Sequence, residues 1–247
     1  MRLCGGRWSG SGRMGMCRVA FIAAMEREVA PLIRSWNVRE IEHDGRRYRL
    51  FESGDAALIC GGIGAEAARR ATEAMLQESG PGRVLSVGFA GALDSTLKVA
   101  DILEPRIVVN AADGSRMDTW SGHGTLVSYA AVADREQKQR LAKAYSAVAV
   151  DMEAAAVAQG AQVHAVGFGA LKAVSDVSDF AMPPVERFVG GAGQFRWVRF
   201  ALHVAVRPWL WGQTIALARN SVAASRALCG AIESYLARAN VAVEVTS

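Results

Sequence analysis

The chain has 247 residues, of which 51% are hydrophobic and 21% charged, and this length suits one large domain without requiring two. The formal net charge is +4, but three arginines before Met16, with no acidic residue among them, supply most of the excess. The remainder is too small to predict a nucleic-acid-binding face. No run reaches the roughly eighteen uninterrupted apolar residues of a membrane-spanning helix.

The N-terminal residues and the cysteines bear on cofactors and compartment. Residues 1–16 are rich in glycine, serine and arginine and lack the apolar core of a signal peptide. We therefore expect a flexible tail over 1–16, followed by a single domain over 17–247. The cysteines lie far apart and match no metal-ligand spacing. We expect free thiols in a reducing cytoplasm, no metal and no other cofactor.

Strand-like and helix-like segments alternate along most of the chain. We predict strands at 17–23, 46–52, 56–60, 83–87, 101–109 and 125–129, with the fifth bent at Pro105. Strand-like apolar runs also lead into residues 151–153 and 175–179. We predict helices at 24–36, 65–79 and 134–145, the last of them a charged surface helix. The alternation indicates an α/β fold, a three-layer sandwich with a mixed central sheet.

Glycines or acids follow four of the predicted strands, at 24–28, 61–64, 88–91 and 175–179. Ligands of open α/β sheets bind outside the carboxyl ends of the strands. Glycine at such a turn lets backbone N–H groups approach a ligand closely. One turn of this kind is ordinary, but four together predict a binding crevice.

Two groups of carboxylates flank one helix-and-strand unit between residues 149 and 179. Asp151 and Glu153 precede the helix, and Asp176 and Asp179 follow the strand. A pair of carboxylates at this edge of a sheet suits a reaction that builds positive charge on a sugar. Taken alone, Glu153 is better explained as an acid at a helix N-terminus, and Asp176 could be a helix cap.

In order and spacing, five motifs of the chain resemble the nucleoside phosphorylase/nucleosidase superfamily, nearest the methylthioadenosine/S-adenosylhomocysteine nucleosidases. The motifs are AAMEREV (23–29), CGGIGAEAA (60–68), VGFAGALDSTLKVADI (87–102), AVDMEAAAVA (149–158) and AVSDVSD (173–179). The shortened segment before VDME also makes the chain similar to the hopanoid-associated phosphorylases. The resemblance covers roughly residues 19–188 and implies a nucleoside phosphorylase-like fold and a homodimer.

The resemblance also implies an activity, the cleavage of a purine N-glycosidic bond with release of adenine. The implied substrate is a 5′-substituted adenosine such as methylthioadenosine or S-adenosylhomocysteine. Glu153 would hold the ribose hydroxyls, and Met152 would lie against the ribose face. Asp176, held by Ser175, would protonate the departing base, and we expect Asp179 to crowd it. Glu28 would orient the attacking water.

Two departures from the nucleosidase pattern concern the nucleophile. Phe89, in the predicted substrate-binding loop Phe89-Ala90-Gly91, stands where nucleosidases carry a hydroxyl residue, and Lys172 replaces an arginine. Lys172 could serve phosphate as a point charge or pair with Glu28 or Asp176, whereas the Glu28 carboxylate would repel a phosphate dianion. We therefore predict hydrolysis. The first alternative is a phosphorylase acting on an adenosylated hopanoid-type lipid, and the second is a non-catalytic nucleoside-binding protein.

A third departure concerns the base. The aromatic residue that stacks on the base in nucleosidases is absent near residues 131–133. Tyr145 and Trp120 are the two aromatic residues that we consider as substitutes.

From about residue 194 the chain diverges from the family pattern. Residues 195–218 carry Trp209 and Trp211 among several arginines and are interrupted by Pro208, which predicts two helices. These helices either pack on the sheet or a partner subunit, as aromatic stripes usually do, or form a face that contacts a membrane. A lipid-linked adenosyl substrate would need such a face.

Overall fold

A computed structural model describes residues 19–188, 190 and 193–244, so the predicted tail, residues 1–16, lies outside the described residues. The strands are β1 (Val19–Ala23), β2 (Asn37–His43), β3 (Arg46–Ser53), β4 (Ala56–Cys60), β5 (Arg83–Ala92), β6 (Ile102–Leu103), β7 (Ile107–Asn110), β8 (Arg116–Asp118), β9 (Thr125–Ser128), β10 (Ala149–Asp151) and β11 (Gly167–Asp176). The helices are α1 (Glu26–Ile33), α2 (Ala65–Ser79), α3 (Arg135–Tyr145), α4 (Ala154–Val163), α5 (Trp197–Ala205) and α6 (Trp211–Glu244).

The strands form one mixed sheet. Its main path runs β2-β3-β4-β1-β5-β10-β9-β7-β8, and β11 pairs with β5 and with β6. Because β1 is parallel to both β4 and β5, and β11 is parallel to β5, the carboxyl ends of these four strands meet at one edge. β10 runs antiparallel to β5, with Val150 opposite Gly91. This pairing brings the segment after β10 to the same edge.

Helices cover both faces of the sheet. One core cluster joins α2 and α4 to the sheet through residues such as Met75 and Val157. A second cluster joins α1 and α6 to the other face through residues such as Val29 and Leu228. These two layers of helix around a mixed sheet confirm the predicted three-layer α/β sandwich.

The structure adds two strands that the sequence pattern did not indicate and splits a third. β2 buries only Ile41, so it reads as a polar segment rather than an alternating strand. β8 lies within residues 110–124, which we expected to be a loop. The predicted strand at 101–109 is divided into β6 and β7 around Pro105, as its missing N–H donor requires.

The prediction that 134–145 is a surface helix needs a correction. α3 is present and is capped by Asp134, whose side chain accepts a hydrogen bond from the Gln137 N–H (2.8 Å). However, Lys138 and Leu141 are buried, at 2% and 4% exposure. Lys138 is therefore an interior lysine in a helix whose other residues are mostly polar.

The C-terminal helices are separated at Pro208, as predicted, and Pro208 begins a short 3₁₀ turn. The later part of α6 packs into the core, where Leu228 and Ile232 are fully buried. In contrast, Leu202 on α5 and Trp209 in the turn are 65% and 72% exposed. Within the described ranges, no helix combines the length and the apolar character needed to cross a bilayer.

Candidate active site

The carboxyl ends of β1, β5, β10 and β11 open into one cavity of about 200 Å³. Eight of the nine predicted site residues line it: Glu28, Phe89, Ala90, Gly91, Met152, Glu153, Ser175 and Asp176. The ninth, Lys172, is not among the residues that line the cavity in the part of the chain that the structure describes. Segments far apart in the sequence thus meet at the edge where the glycine and acid pattern placed a crevice.

Glu28 is a buried acid in the first turn of α1. Its side chain is 3% exposed, and its Oε2 has no hydrogen-bond partner among the described residues. Burial raises the pKa of Glu28 to about 7, and the nearby Glu153 charge adds to this effect. At Gly88, a Cβ would lie 3.0 Å from Glu28 Oε2, and the backbone has a φ of +150°, so this glycine makes room for the carboxyl group.

Glu153 follows β10 and faces the cavity, but its side chain does not cap α4. Glu153 Oε1 instead accepts a hydrogen bond from the Gly64 N–H (2.8 Å), and Oε2 accepts one from the Met152 N–H (3.3 Å). Burial raises the pKa of Glu153 to about 7, and the Asp151 charge contributes further. Glu153 is thus an acid at the N-terminus of α4, as its sequence position indicates, but its carboxylate is held by the Gly64 and Met152 amides and lines the cavity.

Asp151 is the acid that caps α4, and sequence reasoning gave it no role. Its Oδ2 accepts a hydrogen bond from the Ala154 N–H (2.9 Å), and its Oδ1 accepts one from the Ser128 hydroxyl (2.6 Å). It also lies 2.8 Å from the Nζ of Lys172. Its place two residues before Glu153 in the VDME motif was the signal that could have identified it.

Lys172 lies beneath the cavity rather than in its wall, and its partner is neither Glu28 nor Asp176. Its side chain is 1% exposed and pairs with Asp151, and its Nζ donates to Ser86 Oγ (2.9 Å). Burial alone would lower the pKa of Lys172, but the charges of the neighbouring carboxylates, Asp151 first, outweigh it and raise that pKa. Lys172 is therefore a fixed positive charge under the two cavity acids.

Asp176 ends β11 and lines the cavity. Its Oδ1 accepts a hydrogen bond from the Ser175 hydroxyl (2.6 Å), as predicted. Its Oδ2 forms an ion pair with Lys138, while Asp179, which we expected to crowd it, is exposed. The partner of Asp176 is thus a cation, because α3 packs Lys138 against the end of β11.

The expected aromatic substitutes for base stacking do not reach the cavity. Residues 131–133 line it, but Tyr145 and Trp120 are absent from its described lining. Trp120 borders a separate small cavity, and the Tyr145 hydroxyl is directed to a backbone carbonyl at 3.3 Å. The aromatic surface of the cavity comes instead from Phe89, Phe195 and Phe200. Two of these belong to the divergent C-terminal part, for which the resemblance offered no guide.

Comparison with known proteins shows which of them this chain resembles in sequence. The model of the family described as the Phosphorylase superfamily matches residues 18–136. A 5′-methylthioadenosine/S-adenosylhomocysteine nucleosidase of Marinomonas sp. (strain MWYL1) is 29% identical over 207 residues, which cover 68% of this chain and 89% of that protein. These matches confirm the resemblance to the nucleoside phosphorylase/nucleosidase superfamily.

Solved structures confirm the fold. The apo form of Arabidopsis thaliana 5′-methylthioadenosine nucleosidase superposes with a TM-score of 0.69 at 19% identity, covering 90% of this chain and 95% of that one. The futalosine hydrolase of Helicobacter pylori strain 26695 superposes with a TM-score of 0.64 at 19% identity, covering 89% and 98%. The same fold therefore occurs in proteins named for different nucleosides.

Proposed function

We propose that this protein cleaves the N-glycosidic bond of a purine nucleoside with water and releases adenine. The observation that carries the proposal is that Glu28, Glu153 and Asp176 meet in one cavity at the edge of the sheet. The name of the Marinomonas relative supports a 5′-substituted adenosine, such as methylthioadenosine or S-adenosylhomocysteine, as the substrate. The futalosine hydrolase neighbour shares the fold, so the fold by itself does not select the 5′ substituent.

Glu153 is suited to hold the ribose. As the bond to the base breaks, positive charge develops on the ribose ring, and its hydroxyl groups become better hydrogen-bond donors. A carboxylate that accepts from them then binds the transition state more strongly than the substrate. The amides of Gly64 and Met152 fix the Glu153 carboxylate in place before the substrate arrives.

Glu28 is suited to position the attacking water and to take its proton. A pKa of about 7 gives a base that is partly ionised at neutral pH and strong enough to accept a proton. Its Oε2, which has no protein partner among the described residues, is available to bind the water. The charge of Lys172 is taken up by Asp151, which favours water over phosphate as the nucleophile.

Asp176 is suited to act at the base. The Ser175 hydroxyl orients its carboxyl group, and Asp176 lines the same cavity as Glu28 and Glu153. In this assignment Asp176 faces N7 of the purine, which must gain a proton as the base departs.

The proposal is tested by measuring adenine release from methylthioadenosine and S-adenosylhomocysteine with and without phosphate. We expect release that does not depend on phosphate, and a fall of about 100-fold or more in the Asp176→Asn variant. Phosphate-dependent release with a ribose 1-phosphate product would move the assignment to a phosphorylase. Adenine binding without turnover of any nucleoside would select the non-catalytic alternative.

A second candidate substrate, an adenosylated lipid, is favoured by the C-terminal part of the chain. Phe195, Phe200 and Leu217 of this part line the cavity. The same part of the chain also exposes apolar side chains: Leu202 (65%), Val206 (71%), Trp209 (72%), Trp211 (49%) and Ile215 (52%). The sequence from 187 to 232 contains six arginines and no acidic residue. Apolar groups beside unopposed positive charge are complementary to an anionic bilayer surface.

This second candidate predicts sedimentation with vesicles of phosphatidylserine and phosphatidylcholine. We expect the wild-type protein to sediment with them and the double variant Trp209→Ser, Trp211→Ser to remain in solution. Cleavage of a water-soluble nucleoside should be unchanged, because neither tryptophan lines the cavity. If the wild type never sediments, the lipid candidate is wrong. Sedimentation velocity would then test whether the same face forms the homodimer that the family resemblance implies.

A further inference from the structure

Lys138 is a cavity residue to which no role has so far been given. It projects from α3, its side chain is 2% exposed, and it lines the cavity. Its Nζ is paired with Asp176 Oδ2 and donates to the Val177 carbonyl oxygen (2.8 Å). An ammonium group has three N–H donors. Two of them bind protein atoms in the described part of the chain, and the third is left for a ligand.

The burial of the Lys138 ammonium group costs free energy. Removing an ammonium group from water costs several kcal/mol, which an ion pair offsets only with good geometry. The neighbouring strand also has to make room for this pair: a Cβ on Gly91 would lie 2.9 Å from Asp176 Oδ2 and 3.2 Å from Lys138 Cε. Lys138 therefore packs against Asp176 in space that the absence of a side chain at Gly91 leaves for the pair.

The ion pair changes the chemistry expected of Asp176. Both of its carboxylate oxygens accept hydrogen bonds from the protein, Oδ1 from the Ser175 hydroxyl and Oδ2 from the Nζ of Lys138. The N–H donor beside Asp176 that is left for a ligand belongs to Lys138.

We propose that Lys138 is a further catalytic residue and the source of the proton that leaves with the base, an inference that rests on the proposed function. As the C1′–N9 bond breaks, its electron pair passes into the purine ring. N7 takes a proton from the Lys138–Asp176 pair, and Lys138 remains as a neutral amine. Water adds to C1′ and gives its proton to Glu28. Proton return from Glu28 to Lys138 through solvent restores the starting state, so charge and atoms balance.

The Lys138→Arg variant separates this role from a structural one. Arginine keeps the positive charge and the pairing with Asp176, but it does not give up a proton in proteins. A purely structural ion pair would therefore tolerate arginine, whereas a proton source would not. Lys138→Met removes both functions, and Lys143→Met, at an exposed position of the same helix, is the matched control.

The substrates provide the second discrimination. Adenine needs a proton to depart, whereas 4-nitrophenolate is a stable anion that leaves without one. In Lys138→Arg and Lys138→Met we expect kcat for the purine nucleoside to fall by about 100-fold or more. Cleavage of 4-nitrophenyl riboside should stay within about threefold of wild type, and Lys143→Met should match wild type on both substrates. Thermal unfolding verifies that each variant is folded.

Two results with the variants would overturn the inference. Full purine activity in Lys138→Arg would show that Lys138 is only a structural partner of Asp176. An equal loss of activity on both substrates would show that Lys138 supports the cavity in general. If Lys138→Met does not fold, the arginine variant alone decides between these roles. If the wild type releases no adenine from any nucleoside, the proposed function itself is wrong and the inference falls with it. Adenine release by the wild type combined with full activity in Lys138→Arg would contradict only the role of Lys138.

Discussion

Replacing Lys172 by methionine should lower the free energy of unfolding by about 3–5 kcal/mol, the usual cost of removing one partner of a buried ion pair. Lys172 and Asp151 are 1% and 4% exposed, and their charged atoms lie 2.8 Å apart. Without the lysine, Asp151 would keep a buried charge beside Glu28 and Glu153, both of which also interact with Lys172. Urea unfolding at pH 7 measures the loss.

The control for this prediction is the double variant Lys172→Met, Asp151→Asn. Because it removes both charges, it should recover much of the stability that the single variant loses. A single variant that loses less than about 1 kcal/mol would contradict the description of Lys172 as the cation on which the buried acids depend. If the wild type binds phosphate and the stable double variant does not, Lys172 would instead be a residue that binds phosphate as the nucleophile.

Replacing Glu28 by glutamine should lower activity and raise stability at the same time. Activity should fall by about 100-fold or more, because the group that takes the proton from water is lost. Below pH 4.5, the ordinary pKa of the group, Glu28 is protonated in both the folded and unfolded states. Between pH 4.5 and about 7, the unfolded chain releases the proton that the folded protein keeps, so the free energy of unfolding falls as pH rises.

The glutamine variant lacks this titration. Its advantage in stability over the wild type should therefore grow across this pH window and reach about 3 kcal/mol above pH 7, from about 1.4 kcal/mol per pKa unit. Urea unfolding at pH 4, 6 and 8 follows the change. Glu26→Gln is the matched control, since Glu26 lies on the same helix with a side chain that is 42% exposed and paired with Arg49. A stability gap that does not change with pH would show that Glu28 does not titrate in this range.

Most of the strands and the residues at their ends were readable from the sequence, but the order of the strands in the sheet was not. Glu28, Glu153 and Asp176 each follow an apolar run. Parallel pairing brings the ends of β1 and β11 to one edge, whereas Glu153 reaches the cavity through the antiparallel pairing of β10 with the end of β5. The sequence also indicated that Pro105 divides a strand and that Pro208 separates two helices, because proline has no backbone N–H to donate. The sequence did not indicate β2, because this strand buries only Ile41 and so carries little of the hydrophobic periodicity that marks a strand.

The sequence by itself therefore determined the fold and the acids that meet in the cavity, because both depend on hydrophobic period and on position within a strand or helix. Only the tertiary structure decided the partners of those acids. Lys172 pairs with Asp151, and Lys138 turns inward from a charged helix to Asp176. Pairing across strands and helices depends on register and packing between segments far apart in the chain. A lysine in a polar run has the same local pattern whether it faces solvent or a buried carboxylate.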